Sequence, residues 1–313
     1  MNKGEEKKLS LNRFEFEFLS YIERNIEVDA TQRRLADAIT ISLGTVNKIL
    51  KQYLNKQVIE QRGGKIRLTE NGMKLLEPYK VQRAIIIAAG FGERLVPVTL
   101  DIPKPLIKIK GKRIIDTLLD QLIKAEIDEI YLVRGYKSEM FEILRTKYPS
   151  IHFIENPSYN VTNNISSVFV AKDYIENTYI CEADLYLNMP GIIQKYQYST
   201  NYLGAYVKET DDWCFYKTNG YISKITIGGE NCYHLVGISY WNSEDSRKLK
   251  KYIEDVYNSR GGKENYWDNV PLKIHKKDFR IEVRECLKTD VTEIDTFDEL
   301  KALDSNYADY ERI

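Results

Sequence analysis

Residues 84–106 read AIIIAAGFGERLVPVTLDIPKPL. The segment begins as a short apolar run rich in isoleucine and bounded by glycine, which is the grammar of a buried strand. It breaks at Gly90 and Gly92, passes Arg94 and reaches Lys104 between Pro103 and Pro105. The sequence beyond it alternates. RIIDTLLDQLIKAEI puts Ile114, Leu118, Leu122 and Ala125 on one helical stripe. DEIYLVRGY predicts a second strand, KSEMFEILRTKY a second helix and IHFIENP a third strand. NISSVFVAKDYI predicts a third helix and TYICEADLYL a fourth strand. Strand–helix alternation with short links predicts an α/β unit, a mostly parallel sheet covered on both faces. Right-handed crossovers then place the glycine turn at the carboxyl edge of the first strand, where such sheets bind ligands.

Three phosphate-binding patterns bear on that turn. A P-loop needs GxxxxGK[ST], which the sequence lacks. A dinucleotide fingerprint needs GxGxxG; Gly90 and Gly92 fit, but Leu95 stands at the third glycine position. A lone GxG is also what any tight turn uses, because glycine permits positive φ. The residues beyond the turn favour an anion site. Glycines let backbone N–H groups approach an anion. Arg94 offers a fork of donors, and two prolines limit the freedom of the chain around Lys104. Together they predict a triphosphate cradle.

Residues 1–80 follow another grammar. LNRFEFEFLSYIERN spaces Leu11, Phe14, Phe18 and Ile22 as a helix, although its phenylalanines also alternate locally as in a strand. TQRRLADAI is a short helix with Thr31 as its N-cap. In TISLGTVNKILKQYLNK an apolar face of Leu43, Val46, Leu50 and Leu54 leaves Ser42, Thr45, Asn47, Lys48, Lys51 and Gln52 on the other. VIEQRGGKIRLTENG predicts a hairpin turning at Gly63–Gly64. This order, closed by LTENGMKLL, resembles the MarR-like winged-helix regulators. The resemblance implies a winged helix-turn-helix domain over residues 1–80, ahead of a second domain over 81–313. It implies a recognition helix at 42–53 and a wing at 62–67, so that Ser42, Thr45, Asn47, Lys48, Lys51, Arg62 and Lys65 would meet DNA. Residues 1–80 hold fifteen Lys/Arg against eleven Asp/Glu, about +4 within a chain of net charge 0. That balance suits DNA, and equally suits a module for dimerisation or docking. One such module makes few phosphate contacts, so specific DNA binding would also call for a homodimer or a partner.

At 313 residues, 43% hydrophobic and 29% charged, the chain is long enough for two domains with real cores. Zero net charge argues against nucleic acid bound over the whole surface. MNKGEEKKLS has no apolar export core and no later run has the length of a membrane span, so a cytoplasmic protein without membrane contact is expected. Cys181, Cys214, Cys232 and Cys286 are scattered, as reduced thiols would be. The spacing of His152, His234 and His275 suggests neither a zinc site nor a Ser-His-Asp triad.

AAGFGERLVPVTLDIPKPL resembles the signature of the nucleoside-triphosphate transferases that make sugar nucleotides and CDP-alcohols. NPSYNVTNNISSVFVAKDYI, YICEADLYL, YWDN and TEIDTFDEL extend the likeness, over about residues 83–303, to the bacterial CTP:phosphocholine cytidylyltransferases. Minimal members of that family lack the first module. The resemblance implies a Rossmann-like nucleotidyltransferase fold with a mostly parallel mixed sheet, an added substrate-binding hairpin region, CTP as donor and Mg²⁺ as cofactor. It places the triphosphate on the turn at Ala88, Ala89, Gly90, Phe91, Gly92 and Glu93, with Arg94 and Lys104 as the catalytic cations. It places the base beside Asn163, Asn164, Ser166 and Ser167, amide and hydroxyl groups suited to a cytosine edge.

EADLYL puts Glu182, Asp184 and Tyr186 on one side of a predicted strand, with Asp184 as a carboxylate for Mg²⁺. The resemblance adds Asp268, in NYWDN, as the second metal ligand. A phosphomonoester with a second pKa near about 6 is mostly dianionic at neutral pH, so its attack on the α-phosphorus of CTP needs no protein base. Positioning and charge neutralisation then carry catalysis. All three tryptophans stand beside acidic residues, in DDW, YWNSED and YWDN. An aromatic box with a carboxylate holds a quaternary ammonium, whereas a tryptophan taken singly is as readily core filler. Trp213, Tyr266 and Trp267 match positions the family uses near choline; Trp241 follows a strand, as a structural residue would. The expected function is transfer of CMP from CTP to phosphocholine, giving CDP-choline and pyrophosphate. The alternatives are phosphoethanolamine, 2-aminoethylphosphonate or a sugar 1-phosphate as acceptor. Outside the class stands a DNA-binding transcription regulator whose second domain senses a nucleotide.

Overall fold

Asn12 starts the first helix. Its side chain accepts from Glu15 N at 3.0 Å, and the Glu15 carboxylate accepts from Asn12 N at 3.0 Å, a capping box. The helix, α1 (Arg13–Arg24), buries Phe16, Phe18, Leu19 and Ile22 and leaves Phe14 exposed, which decides for helix over strand. The computed structural model describes residues 10–25, 28–29, 31–308 and 310. The chain divides into two units, Met1–Lys80 and Val81–Ile313. In the first, α1 is followed by β1 (Val28–Asp29), α2 (Gln32–Ala38), α3 (Leu43–Asn55), the hairpin of β2 (Ile59–Arg62) and β3 (Lys65–Leu68), and α4 (Glu70–Leu76). Gly63 and Gly64 have φ of 56° and 80°, the left-handed pair that a two-residue hairpin turn favours. β3 also pairs with β1, a two-residue strand too short to show any period in the sequence.

Helix α3 departs from its predicted face. It buries Val46, Ile49, Leu50 and Tyr53, while Leu43, in its first turn, is exposed. Thr31 precedes α2 but makes no side-chain capping bond. The Ser42 hydroxyl caps α3 by accepting from Thr45 N at 3.1 Å and lies 2.8 Å from the Thr45 hydroxyl. Asn47 is half-buried, with Oδ1 enclosed and unpartnered. Lys48, Lys51, Arg62 and Lys65 are exposed, Arg62 in an ion pair with Glu60 at 3.0 Å.

The second unit grows from β4 (Arg83–Ala88). Ala84, Ile85 and Ile86 in succession are fully buried, so both faces of β4 must be covered. After β4 come α5 (Val98–Asp101), a short ladder of β5 (Lys108–Ile109) with β6 (Lys112–Arg113), and α6 (Ile114–Lys124). β7 (Glu129–Arg134) pairs parallel with β4, and β8 (Ile151–Glu155) pairs parallel with β7. The chain then returns through α7 (Ile165–Val170) to β9 (Thr178–Glu182), which pairs parallel with β4 on its other side. Strand order therefore reverses at β4, and the carboxyl ends of β4 and β9 open a crevice. Leu118, Leu119 and Leu122 of α6 pack with Ile86 and Leu132 on one face of the sheet. Val168 of α7 packs with Ile85 and Ile180 on the other, together with Leu249 and Ile253 of a later helix.

Two predicted elements changed. Residues 138–146 form a 3₁₀-helix that buries Phe141 and Leu144, three apart as three residues per turn require. TYICEADLYL is not one strand. β9 stops at Glu182, Ala183 and Asp184 turn, and β10 (Leu185–Leu187) leaves the main sheet to pair with a late strand. Glu182 and Asp184 thus do not share a strand face.

β11 (Asn201–Thr218) and β12 (Tyr221–Trp241) form a long hairpin whose outer part folds back: Cys214 and Phe215 pair with Thr226 and Ile225 and also with His234 and Tyr233. After α8 (Ser243–Tyr257), β13 (Glu282–Cys286) completes a seven-stranded sheet of order β8-β7-β4-β9-β12-β13-β11. β14 (Val291–Glu293) pairs with β10 and leads to α9 (Phe297–Leu303). Among the described residues no helix is long and apolar enough to cross a membrane.

Candidate active site

A cavity of about 690 Å³ opens at the carboxyl ends of β4 and β9, within the size range of small-molecule sites. The glycine turn forms one wall. Gly92 has φ 74°, and a Cβ there would lie 3.2 Å from both Lys104 Cβ and Thr99 Cγ2. Glycine is thus needed twice, for its conformation and because the Lys104 side chain crosses it. Gly90 differs. It lines the cavity, and a Cβ there would meet no protein atom within 4 Å. The backbone at Gly90 is thus bare toward the cavity. Leu95, where a dinucleotide site has its third glycine, is buried with Val98, Ile107, Ile294 and Phe297. The position thus serves the core and not a close backbone approach.

Lys104 is the best-defined cation in the cavity. Its side chain is 10% exposed, and Nζ donates to Asp184 Oδ2 at 2.8 Å and Asp295 Oδ1 at 3.2 Å. Burial pulls against its charge, but the two carboxylates prevail and hold its pKa above the usual lysine value. Arg94 donates to the same Asp295 Oδ1 at 2.7 Å. Asp295 thereby ties both cradle cations, and its own N–H is held by Glu299 at 2.8 Å from the first turn of α9. Ala88, Asn164, Trp213, Tyr266 and Asp268 also line the cavity.

The carboxylates are crowded. Ligand atoms of Glu182, Asp184 and Glu293 lie within 4.8 Å of one another. Burial, with the neighbouring Asp184, Asp268 and Glu293 charges, pushes the Glu182 carboxyl well above its ordinary range. Glu293 is raised by burial and by Asp184 and Asp295, against a hydrogen bond to His234 at 3.4 Å. Asp268, which accepts from the Tyr202 hydroxyl, is pushed up to about 6 by burial. Asp184 Oδ1 is enclosed without any hydrogen-bond partner. An orphaned carboxylate oxygen inside a set of hard oxygen donors fits a Mg²⁺ ion, which takes carboxylates together with phosphate oxygens. The cluster joins Asp184 to Glu182 and Glu293 rather than to Asp268, which faces the same cavity from another loop. The residue that faces Glu182 must leave its carboxylate room: a Cβ on Gly237 would lie 2.4 Å from Glu182 Oε2.

Several expected site residues are engaged with other parts of the protein. Ser166 and Ser167 are buried behind the wall, where their hydroxyls meet Asn156 Nδ2 at 2.9 and 3.1 Å. Asn163 donates to Glu264 O at 3.3 Å, and Asn164 accepts from Trp267 N at 2.8 Å. These two asparagines brace the loop that carries Tyr266 and Asp268. Ala89 is buried, Phe91 packs edge-on to Tyr136, and Glu93 is exposed. Trp267 is 2% exposed and stacked on Tyr202, so its ring is core and not a wall of an aromatic box. Trp213 and Tyr266 remain, edge to face at 6.3 Å.

Glu182, Glu293 and Asp295 were not assigned roles by sequence reasoning. A signal was present: Glu182-Ala183-Asp184 and Glu293-Ile294-Asp295 are the same E-x-D pattern, each beginning at the last residue of a strand. Asp212 and His234 were missed as well. With Glu293 they form a second cluster of ligand atoms within 4.8 Å, assembled only because the hairpin folds back.

Comparison with known proteins bears on this cavity. A family model described as nucleotidyl transferase matches residues 83–205. The chain is 36% identical over 228 residues to a 2-aminoethylphosphonate cytidylyltransferase of Lancefieldella rimae, covering 72% of this chain and 92% of that protein. It is 32% identical to a choline-phosphate cytidylyltransferase of Haemophilus influenzae, over 69% of this chain and 93% of the other. The structure of the CTP:phosphocholine cytidylyltransferase from Streptococcus pneumoniae is similar with a TM-score of 0.68 at 28% identity, over 72% of this chain and 99% of that one.

Proposed function

We propose, from the premise that this chain belongs to the nucleotidyl transferase family and there to the cytidylyltransferases, that it joins CMP to a small amine-bearing phosphonate or phosphate. The observation that carries the reading is Lys104, buried between Asp184 and Asp295 under the glycine turn, beside the unpartnered Asp184 Oδ1. An acceptor oxyanion bonds to the α-phosphorus of CTP, and the bond from that phosphorus to the bridging oxygen breaks to release pyrophosphate. Arg94 and Lys104 hold the triphosphate while the bare Gly90 backbone lets it approach. Lys104 also meets charge that grows on the departing phosphates. Asp184, Glu182 and Glu293 would hold Mg²⁺, which supplies neutralisation of phosphate charge.

For the acceptor we favour 2-aminoethylphosphonate. The carboxylates of Asp212 and Asp268, which line the cavity with Trp213 and Tyr266, suit the N–H donors of a primary ammonium. The relative with that specificity is 36% identical. Phosphocholine is the second reading, supported by the Trp213–Tyr266 pair. Pyrophosphate release from four NTPs against 2-aminoethylphosphonate, phosphoethanolamine, phosphocholine and glucose 1-phosphate tests both. CTP with the amine-bearing acceptors should react; release with the sugar phosphate alone would overturn the reading.

Residues 1–80 we assign to a separate winged helix-turn-helix domain, supported by the helix, helix, helix and hairpin order and by exposed Lys48, Lys51, Arg62 and Lys65. Fluorescence titration with the gene's own upstream DNA at two salt concentrations tests it. No sequence preference at either would leave a docking module.

A further inference from the structure

Trp213 already carries a cation. Lys273 Nζ lies 3.9 Å from the centroid of its ring. Lys273 sits in a single π-helical turn, Val270–Ile274, just after the cavity-lining residues Asp268 and Asn269. Val270 and Leu272 in that turn are 0% and 1% exposed, so the root of the lysine is anchored while its head reaches the indole. Its side chain is exposed, and the desolvation it meets against the indole lowers its pKa. Trp213 in turn lines the cavity beside Asp212, and Tyr266 meets it edge to face. The ring the acceptor end offers to a cation is therefore partly spent within the protein.

We propose that Lys273 is a specificity-determining residue: its ammonium on the Trp213 ring disfavours acceptors that carry a quaternary ammonium and leaves those whose N–H groups are read by carboxylates. The inference rests on the acceptor reading above. It holds for either face of the indole. On the lysine's own face a trimethylammonium head is excluded by contact. On the opposite face the two charges stand about 8 Å apart, and at an effective dielectric near 20, further screened by the solvent around the exposed lysine, their repulsion is worth about tenfold in affinity. A quaternary ammonium has no N–H with which to recover that loss on Asp212 or Asp268. A primary ammonium has three.

The test is steady-state kinetics of the full chain with CTP and Mg²⁺, comparing phosphocholine with 2-aminoethylphosphonate in the wild type, Lys273→Ala and Lys273→Arg. Lys273→Ala should lower the KM for phosphocholine relative to that for 2-aminoethylphosphonate by about tenfold. Lys273→Arg, whose guanidinium also stacks on an indole, should keep the wild-type ratio. An unchanged ratio in Lys273→Ala overturns the inference and leaves the cytidylyltransferase reading intact. If the wild type used neither acceptor, the acceptor reading would fail by itself. Quenching of tryptophan fluorescence by tetramethylammonium chloride would then decide: about tenfold tighter binding to Lys273→Ala supports the role of the lysine, and equal binding refutes it.

Discussion

At one end of the cavity Lys104 is buried and donates to two carboxylates, one of which also holds Arg94. Lys273, by contrast, is exposed and lies on the face of Trp213, an indole that lines the same cavity. The first cation is held by two carboxylates, so removing it strands charge in a poorly hydrated place. The second has one soft contact that can change at little cost to the fold. In the proposed account, chemistry is served by the first kind of site and choice of substrate by the second.

The contrast is broken most severely at Lys104. Lys104→Ala leaves Asp184 without its cation and Asp295 with Arg94 alone, and removes charge proposed to stabilise the departing phosphates. We expect kcat to fall by about 10²–10³-fold, with circular dichroism confirming a folded protein; wild-type kcat would show that the buried network is structural only. Gly237→Ala is next. Its Cβ collides with the Glu182 carboxylate, so Mn²⁺ affinity, followed by electron paramagnetic resonance, should weaken by about 10–100-fold, as when supports of metal ligands are lost. An unaltered affinity would place the metal away from Glu182. Trp213→Ala acts at the adaptable end and should shift the KM for a phosphocholine acceptor several-fold while the KM for CTP holds; equal shifts in both would mean that the indole braces the whole cavity.

What could be seen in the sequence follows the same division. AIIIAAGFGERLVPVTLDIPKPL was legible because strand, turn and both cations lie within one short segment. The partners of those cations were not, because Asp295 reaches Lys104 across 191 residues of chain. The break in TYICEADLYL was hidden because a two-residue turn does not disturb the apolar composition on either side. Ser166, Ser167 and Trp267 stand next to cavity residues in sequence, yet they point away from the cavity and into the core. The acceptor end depends on the folded-back hairpin, whose double pairing at Cys214 and Phe215 no local pattern encodes.

The smallest expected effect concerns pH. The Asp268, Glu182 and Glu293 carboxyls are raised above their ordinary values. A raised carboxyl contributes stability that is full below its unfolded pKa and lost as pH rises through its folded one, about 6 for Asp268. The metal-free protein is thus penalised at neutral pH, where Mg²⁺ would relieve the repulsion. The rise in Tm on adding Mg²⁺ should be a few degrees and larger at pH 7.5 than at pH 5. Equal increments would detach the carboxylate cluster from metal binding.

The central claim is that the cavity transfers a cytidylyl group to an amine-bearing acceptor. Phosphorus NMR of the protein with CTP, Mg²⁺ and 2-aminoethylphosphonate observes that transfer directly. The account predicts loss of the three CTP resonances together with the acceptor phosphonate signal, and growth of pyrophosphate and of a coupled phosphate–phosphonate pair. CTP left intact, or cleaved to CMP and pyrophosphate while the acceptor signal stays whole, would contradict it.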